Sequence, residues 1–259
     1  MEKQLSVGFE KGLNSLFRLE TKWYHFVHRH KEEKDYPIVI NNFNRLEWLQ
    51  QQIDWLESVG QRNIIILDNL SNYPPLLDFY QRTKHLVIRL NGNVGHEAFW
   101  RTHVFQRFGK YFHVYTDPDV LPTTETPKDF MFYFKSLLDE FNDIQKVGFG
   151  MKRDDIPDFY PKKYEVLDWE NSLDQEEVKP QVFRSKVDTT FALYRPGAMF
   201  QCWERTLRTG GNYALRHMPW YEDPKNLSEE SINYLNTTNS SSSWYNTVLG
   251  KDSRYSAEK

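Results

Sequence analysis

Two carboxylates flank a proline at the end of an apolar segment, in the tripeptide Asp117-Pro118-Asp119. Acids in this spacing can share one hard divalent cation, because Mg²⁺ and Mn²⁺ prefer oxygen ligands and keep positions open for phosphate oxygens. Pro118 restricts the turn between the two acids. The tripeptide therefore indicates a metal site, and the alternative interpretation is a solvated turn that aspartate stabilises locally.

A histidine late in the chain could supply a nitrogen ligand to the same cation. His217 lies in the segment Arg216-His-Met-Pro-Trp-Tyr221, and a neutral imidazole suits Mn²⁺. A histidine with a purely structural role is the alternative. Asp117, Asp119 and His217 are therefore candidate ligands of a Mn²⁺ or Mg²⁺ cofactor, and structural roles for all three stay open from the residues alone.

Three carboxylates in the second half are candidates for acid–base or nucleophilic chemistry. Asp155 lies in a charged loop, Asp188 is near the start of a predicted strand, and Glu230 lies in the first turn of a predicted helix. Two of them have a structural alternative. Asp155 could belong to an exposed loop, and Glu230 could stabilise a helix terminus through the helix dipole.

The elements that position these residues follow from the hydrophobic pattern. Four short runs rich in β-branched residues predict buried strands at 37–40, 64–67, 86–88 and 111–115. Amphipathic spacing predicts helices between them at 46–56, 76–82 and 97–108. Continuous apolar strands separated by helices are typical of a parallel sheet covered on both faces, so we expect an α/β fold. The polar strand ends then meet at one edge, where such sheets bind ligands.

The rest of the chain predicts further elements. They are a helix at 127–141 with Thr126 as its cap, a strand at 147–149, loops over 150–180, a strand at 187–194 and a helix at 226–235. Two residue pairs have the spacing of a capping box and mark helix starts: Asn44 with Glu47, and Asn226 with Glu229.

The composition excludes several classes of protein. Aromatic residues make up 16% of the 259 residues, which excludes a disordered chain. The net charge of −3 gives no basic excess, so we expect no nucleic-acid partner. The single cysteine, Cys202, excludes an intramolecular disulfide and a cysteine zinc site.

The N-terminal residues carry a separate pattern. The chain has no apolar run near the roughly 18 residues of a membrane span and no apolar signal segment, so we expect a cytoplasmic protein. Apolar residues between Leu5 and Val27 recur at helical spacing and predict an N-terminal helical extension over 1–35. Its apolar stripe could pack on the main domain, touch a partner, or make a peripheral contact with the inner face of the membrane.

Four segments in chain order carry a resemblance to a known family. They are Ile38-Val-Ile-Asn-Asn-Phe-Asn-Arg45, Ile64-Ile-Ile-Leu-Asp-Asn-Leu-Ser71, Asn91-Gly-Asn-Val-Gly-His96 and Asp117-Pro-Asp119. Together they resemble the nucleotide-sugar half of glycosyltransferases of the GT-A fold, of the kind gathered in glycosyltransferase family 2 and its relatives. The resemblance depends on the order and spacing of all four segments.

The resemblance implies a division of the chain and a set of roles. It implies a Rossmann-like, mostly parallel sheet with a nucleotide-sugar-binding half at 36–122 and an acceptor and catalytic half of the same domain at 123–236. Independently of the resemblance, the Ser-, Thr- and Asn-rich composition that begins at Thr237 predicts a mobile tail at 237–259. Asp68 would hold the base, and Asp117 and Asp119 would touch ribose and metal. The implied donor-binding residues are Asn42, Asn44, Arg45, Asp68, Asn69, Asn93, Gly95 and Asp117.

The activity that the resemblance implies is a metal-dependent hexosyltransferase. Its donor would be a nucleotide sugar, with UDP-hexose favoured, and its acceptor a saccharide or lipid-linked saccharide in polysaccharide or lipopolysaccharide synthesis. Asp155 would be the base of an inverting reaction. A retaining reaction, which is slightly favoured, would use Asp188 or Glu230.

Two other functions stay open from the residues. A nucleotidyltransferase would carry a glycine-rich basic loop after the first strand to hold a triphosphate, and the loop at 41–45 has no glycine. A carbohydrate-binding protein without enzymatic activity would use aromatic side chains that stack on sugar rings. The candidates for such stacking are Trp100, Trp169, Trp203, Trp220, Tyr221 and Trp244.

Overall fold

The computed structural model describes residues 32–238 and 242–250, and within them ten strands form one sheet. The strands are β1 (Ile38–Asn42), β2 (Ile64–Asp68), β3 (Leu86–Arg89), β4 (His113–Thr116), β5 (Val120–Pro122), β6 (Lys146–Met151), β7 (Glu177–Lys179), β8 (Val182–Arg184), β9 (Ala192–Tyr194) and β10 (Thr206–His217). The α-helices are α1 (Glu47–Ser58), α2 (Pro74–Arg82), α3 (Ala98–Arg101), α4 (His103–Phe108), α5 (Phe130–Glu140), α6 (Lys163–Ser172), α7 (Glu229–Thr237) and α8 (Ser243–Val248).

The centre of the sheet is largely parallel. The strand order is β3-β2-β1-β4-β9-β6-β10-β8-β7, and β5 pairs with the end of β10. The pairs β2–β3, β1–β2, β1–β4 and β6–β10 are parallel, and β9 runs antiparallel between β4 and β6. The predicted α/β fold with a mostly parallel sheet flanked by helices is therefore confirmed.

The two faces of the sheet have separate apolar cores. Ile38 and Ile40 of β1 pack with residues of α1 and α5 on one face, whereas Val39 packs with Phe99 and Phe108 on the other. Successive side chains of a strand point to opposite faces, so a strand covered on both sides has to be apolar at every position. This double burial is why the run Ile-Val-Ile in the sequence predicts a strand.

The first half of the chain matches the predicted order of elements. The four strands β1 to β4 and the helices α1 and α2 lie within a few residues of the predicted ranges. The predicted helix at 97–108 is divided into α3 and α4. The division occurs because Thr102 has an extended backbone and its side chain caps α4 by accepting a hydrogen bond from the Val104 amide.

The second half departs from prediction in several places. The helix predicted from Pro127 begins only at Phe130, and Asp129 rather than Thr126 is its N-cap residue. Thr126 instead donates a hydrogen bond to the carbonyl of Ala214, 3.2 Å away. The predicted loops at 150–180 contain α6 and β7, and the predicted strand at 187–194 is reduced to β9.

Strand β10 is the largest element that the sequence pattern does not predict. It pairs with β6 from Thr206 to Thr209 and again from Ala214, with a bulge between the two stretches. Gly210 and Gly211 lie in the bulge, and Gly211 has a positive φ of 59°. Glycine pairs usually interrupt strands, which is why the pattern here predicts no strand. The bulge carries the chain onward to His217, the last residue of the strand.

The predicted terminal segments are described only in part. The N-terminal extension lies outside the described residues except for a short 3₁₀ turn at Glu33–Asp35. Within the predicted mobile tail, Ser243–Val248 forms α8, and 239–241 and 251–259 lie outside the description. None of the described helices has both the length and the apolar character needed to cross a membrane.

A residue from the far end of the chain caps α1. The carboxylate of Glu230 accepts hydrogen bonds from the backbone amides of Leu46, at 2.9 Å, and Glu47, at 3.1 Å. The predicted capping box of Asn44 and Glu47 is therefore wrong. The side-chain oxygen of Asn44 accepts instead from two backbone amides in the loop after β2.

The start of α7 is also capped differently from the prediction. Ser228, not Asn226, is its N-cap residue, and its hydroxyl accepts a hydrogen bond from the Ser231 amide at 3.1 Å. Asn226 donates its side-chain amide to the carboxylate of Asp223, 2.7 Å away. A serine cap places Glu229 and Glu230 in the first helical turn, and only Glu230 points inward to reach α1.

Replacing Glu230 with alanine tests this capping role. The change removes the acceptor for two backbone amides, so Glu230→Ala should lower the free energy of unfolding by about 1–2 kcal/mol. Glu229→Ala is the matched control, because Glu229 is an exposed glutamate in the same helical turn. Urea unfolding of both variants measures the difference. Equal stabilities would contradict the capping role.

A buried histidine in β4 should make folding sensitive to acid. The ring of His113 stacks on Tyr194 with centroids 5.3 Å apart, and its Nδ1 donates to the Tyr111 carbonyl at 2.7 Å. Burial lowers the pKa of His113 to about 3. Between this value and the ordinary histidine pKa, the unfolded chain binds a proton that the folded protein rejects. Stability is therefore lost as the pH falls below about 6.5.

We expect the free energy of unfolding to drop between pH 7 and pH 5 by about 2 kcal/mol more in the wild-type protein than in His113→Phe. Chemical denaturation at both pH values measures the two drops. His103→Phe, at an exposed position of α4, controls for the loss of a histidine as such. An equal drop in the wild-type protein and His113→Phe would show that His113 is not the acid-sensitive group.

Candidate functional site

A cavity of about 590 Å³ opens at the carboxyl ends of the parallel strands. The segments that follow β1, β2, β3 and β4 line one part of it. The rest is lined largely by residues of α6, the segments before and after β9, β10 with the 3₁₀ turn Met218–Tyr221, and α7. The polar strand ends thus converge as the parallel topology requires.

Most of the predicted site residues line this cavity, and the others do not. The cavity is lined by Arg45, Asn69, Asn93, Gly95, Asp117, Asp119, Asp188 and His217. The predicted site residues that lie outside its lining are Asn42, Asn44, Asp68, Asp155 and Glu230.

Asp117 is tied to the segment before β9. Its backbone amide donates to the Thr189 carbonyl at 3.0 Å, and the Thr189 hydroxyl donates to its carboxylate. Burial raises the pKa of Asp117 well above its usual range, and the neighbouring carboxylates Asp119 and Asp188 raise it further. This crowding of acids disfavours full ionisation and would be relieved by a bound cation.

Asp119 and His217 are neighbours in the lining of the cavity. The Nε2 atom of His217 lies 3.6 Å from Oδ2 of Asp119, and the two side chains are 18% and 22% exposed. Burial by itself would raise the pKa of Asp119, but interactions with His217 and the charge of Arg45 outweigh it and hold the pKa below its usual range. Asp119 is therefore ionised at neutral pH and lies beside the ring of His217.

This pair fits a divalent cation as a partial ligand set. Across 32–238 and 242–250, no three His, Cys, Asp or Glu side chains are grouped so that they could hold a metal ion. A cation at Asp119 and His217 would therefore take its other ligands from water or from a bound molecule. Mg²⁺ and Mn²⁺ bind in this way when a phosphate-containing ligand supplies oxygens.

An asparagine network shapes the part of the cavity beside β1 and β2. The side-chain amide of Asn69 donates to Asn41 Oδ1 at 2.7 Å and to the Gly95 carbonyl at 3.0 Å, and its oxygen accepts from the Val94 amide. Gly95 has φ 78°, and a Cβ there would meet no atom within 4 Å. The backbone conformation therefore favours glycine, and the open space beside it leaves room for a ligand.

Arg45 is a fixed positive charge at the cavity. It is only 3% exposed, and its guanidinium lies 4.2 Å from the ring centre of Trp48 and 4.0 Å from that of Tyr234. It donates to the Ser231 hydroxyl at 2.8 Å and lies 4.0 Å from the Glu222 carboxylate. These contacts from α1 and α7 keep the charge in place near Asp119.

Asp68 does not face the cavity. Its buried carboxylate accepts hydrogen bonds from the Tyr80 hydroxyl and the Arg89 guanidinium, both at 3.0 Å, and from the Ser71 amide. These contacts join the ends of β2 and β3 to α2. The predicted contact of Asp68 with a nucleotide base has no support in this arrangement.

Asn42 and Asn44 are also fully buried. The side-chain amide of Asn42 donates to the Tyr80 hydroxyl at 2.9 Å. That of Asn44 donates to Thr237 at the end of α7, 2.8 Å away. Both asparagines therefore connect elements around the site, and neither has its side chain available to a ligand in the cavity.

Of the three predicted catalytic carboxylates, only Asp188 lines the cavity, where it is exposed. Asp155 accepts hydrogen bonds from Arg216, with Nε at 2.9 Å, and from the Tyr221 hydroxyl. Burial would raise the pKa of Asp155, but these hydrogen bonds outweigh it and lower the pKa. Glu230 is occupied as the cap of α1. Neither of these two carboxylates is therefore placed to act on a ligand in the cavity.

Sequence reasoning missed a buried ion pair in the cavity wall. Glu170 of α6 accepts a hydrogen bond from the guanidinium of Arg208 in β10, and both line the cavity. Burial raises the pKa of Glu170, while the charges of Arg208 and Arg153 oppose that rise. Both partners lie on elements that the pattern does not predict, so no sequence signal pointed to them.

Some of the aromatic residues predicted to stack on sugar rings line the cavity, and others do not. Trp169, Trp203 and Trp220 line the cavity. Trp100 packs in the second core, where its indole lies 4.8 Å from Tyr115 between ring centres. The side chain of Trp244 is outside the description.

Comparison with known proteins identifies no family for this chain. No family model matches the sequence, and no curated protein matches it. A solved structure of a mycobacterial protein superimposes with a TM-score of 0.44 and 12% identity, covering 85% of this chain and 76% of that chain. A likeness of this degree supports no conclusion about function.

The Glu170–Arg208 pair should be important for folding. Arg208→Met leaves Glu170 buried without its partner, so we expect a loss of about 3–5 kcal/mol in the free energy of unfolding. The double variant Glu170→Leu with Arg208→Met removes both charges and should recover most of that loss. Denaturant unfolding of the variants tests this. A double variant as unstable as Arg208→Met would contradict the ion-pair account.

Proposed function

We propose that this protein is a metal-dependent glycosyltransferase that moves a hexose from a nucleotide sugar, with UDP-hexose as the favoured donor, to a saccharide or lipid-linked acceptor. The observation that carries the proposal is the Asp119–His217 pair, which lies in a cavity at the carboxyl ends of parallel strands. The family resemblance of the segments after β1, β2, β3 and β4 supports the same activity. Polysaccharide or lipopolysaccharide synthesis is the setting that this resemblance suggests.

The nucleotide would occupy the part of the cavity beside β1 to β4. Asn69, Asn93 and Gly95 line that part, and the open space at Gly95 allows a ligand to approach the backbone. Asp117 lies at the boundary with the rest of the cavity and would contact the ribose. Asn69, rather than Asp68, is therefore our candidate for the residue that contacts the base.

Asp119 and His217 would hold Mn²⁺ or Mg²⁺. When bound, the cation would neutralise the charge that develops on the leaving nucleoside diphosphate. Arg45 contributes a fixed positive charge on the same side, because its guanidinium is held between Trp48 and Tyr234. The protein thus supplies two metal ligands and one preorganised cation near the diphosphate.

Asp188 is the carboxylate available to the reacting centre. In an inverting reaction it would accept the proton of the acceptor hydroxyl as the new bond to the anomeric carbon forms and the bond to the diphosphate breaks. In a retaining reaction it would face the sugar from the side opposite the leaving group. The Glu170–Arg208 pair lies on the same part of the cavity and would contact the hydroxyls of donor or acceptor sugar.

A carbohydrate-binding protein without activity is the second candidate. Three tryptophans in the cavity lining favour it: Trp169, Trp203 and Trp220. Such a protein would bind sugars by stacking, and this binding would persist without a metal ion. The effect of metal removal therefore separates the two proposals.

The first test is thermal stability with nucleoside diphosphates and nucleotide sugars, in Mn²⁺, Mg²⁺ or EDTA. A ligand at 100 times its dissociation constant stabilises the folded state by about 2.7 kcal/mol. We expect stabilisation by a UDP species that EDTA abolishes, and sugar release or transfer with the corresponding UDP-hexose. Stabilisation by free saccharides that EDTA leaves unchanged would support the binding protein instead.

Asp119→Ala should abolish the metal-dependent stabilisation and lower transfer by about 100-fold or more, while the variant stays folded. Asp154→Ala is the matched control, because this aspartate is exposed and pairs with Lys152 outside the cavity lining. Circular dichroism confirms that both variants are folded. Unchanged transfer in Asp119→Ala would overturn the metal assignment.

A further inference from the structure

A lysine in the middle of the sheet connects two segments of the cavity wall. Lys146, the first residue of β6, is fully buried. Its Nζ donates to the Val187 carbonyl at 2.6 Å and to the Tyr194 hydroxyl at 3.2 Å. Burying an ammonium group has a large free-energy cost unless the charge is compensated, so a lysine here requires an explanation.

Aromatic rings supply part of the compensation. The Nζ atom lies 4.8 Å from the ring centre of Trp203, 5.0 Å from Tyr194 and 5.4 Å from Phe200. Rings arranged in this way attract a cation through their π faces, and the attraction is larger when the site is dry. Burial lowers the pKa of Lys146 to about 8, while Cys202 and Asp188 oppose that shift. The ammonium form therefore prevails at neutral pH.

The two segments held by Lys146 both belong to the site. Val187 precedes Asp188 and Thr189, which line the cavity, and Thr189 is bonded to Asp117. Phe200 and Trp203 line the cavity from the segment between β9 and β10. The ammonium thus joins the wall that carries the reacting carboxylate to the wall that carries the aromatic rings.

We infer that Lys146 is a positioning residue that holds Asp188 in its working place by binding the Val187 carbonyl from inside the sheet, with Phe200 and Trp203 packed around the same ammonium. The assignment of Asp188 rests on the proposed function, whereas the tethering of the two segments does not. Lys146 lies outside the cavity lining, so it contacts no ligand there.

Lys146→Met is the informative variant, because methionine keeps an unbranched apolar side chain in the core but cannot donate a hydrogen bond or carry charge. We expect the turnover number to fall by about 10²-fold, since small displacements of a catalytic group have effects of that size. The dissociation constant for UDP with Mn²⁺ should stay within twofold of the wild-type value. A residue with only a structural role would change both quantities together.

Hydrogen exchange measures the tether without reference to activity. In Lys146→Met, amides at 186–190 and 198–204 should exchange at least about tenfold faster than in the wild-type protein, and those of β1 and β2 should not change. Lys135→Met is the matched control. Its ammonium also lies over an aromatic ring, that of Phe112 at 4.9 Å, but Lys135 is outside the cavity lining and contacts neither segment.

The outcomes separate the two proposals. Faster exchange in both segments of Lys146→Met supports the tether, even if the wild-type protein transfers no sugar and the proposed function fails. Unchanged exchange and unchanged turnover in Lys146→Met overturn the inference while the transferase proposal stands. If Lys146→Met does not fold, Tyr194→Phe removes one of the two hydrogen-bond partners and should give a smaller change in the same direction. No change in that folded variant would count against the tether.

Discussion

The parallel alignment of β1 with β2 and β4 is the constraint on which the whole site depends. Ile40 is in register with Ile66 on one side and Thr116 on the other, so the three strands end at nearly the same level. The segments that follow them therefore start side by side. A reversed β4 would carry Asp117 and Asp119 to the opposite edge of the sheet.

A second set of contacts brings the end of the chain to this edge. Glu230 caps α1, Arg45 donates to Ser231, and Asn44 donates to Thr237, so α7 is attached to the loop after β1 by buried polar groups. Unpaired buried polar groups are costly, which makes the attachment specific as well as stable. The same attachment brings Tyr234 to the cavity.

The charges of the cavity are arranged around its centre. The carboxyl groups of Asp117, Asp119 and Asp188 are crowded together, which raises the pKa of Asp117, while Arg45 and His217 lie near Asp119. In the proposed function, a divalent cation and a diphosphate would bind there together, because each would compensate the charge of the other. The ammonium of the buried Lys146 is compensated in the core by direct contacts with carbonyl, hydroxyl and aromatic groups.

The sequence by itself determined the elements whose periodicity is strong. Strands buried on both faces are apolar throughout, so β1 and β2 were predictable, and the turn residues Asp117 and Asp119 could be located at a strand end. The α/β class and the edge that carries the site follow from this pattern. The pattern does not show whether a polar side chain at that edge faces the cavity or the interior, because asparagine and aspartate follow strand ends in both cases.

Only the tertiary structure decided which candidate side chains meet. Asp155 and Glu230 have partners far away in sequence, since Glu230 reaches α1 across 184 positions and Asp155 meets Arg216 across 61. Asp68 is bound by Tyr80 and Arg89, which follow it by 12 and 21 positions. Their carboxylates are engaged by those partners, and no local spacing records this. Strand β10 was missed because two glycines in its bulge break the strand pattern, yet that strand brings Arg208 and His217 to the cavity. Contacts between residues far apart in sequence therefore decide which side chains form the candidate site, and local sequence patterns do not encode those contacts.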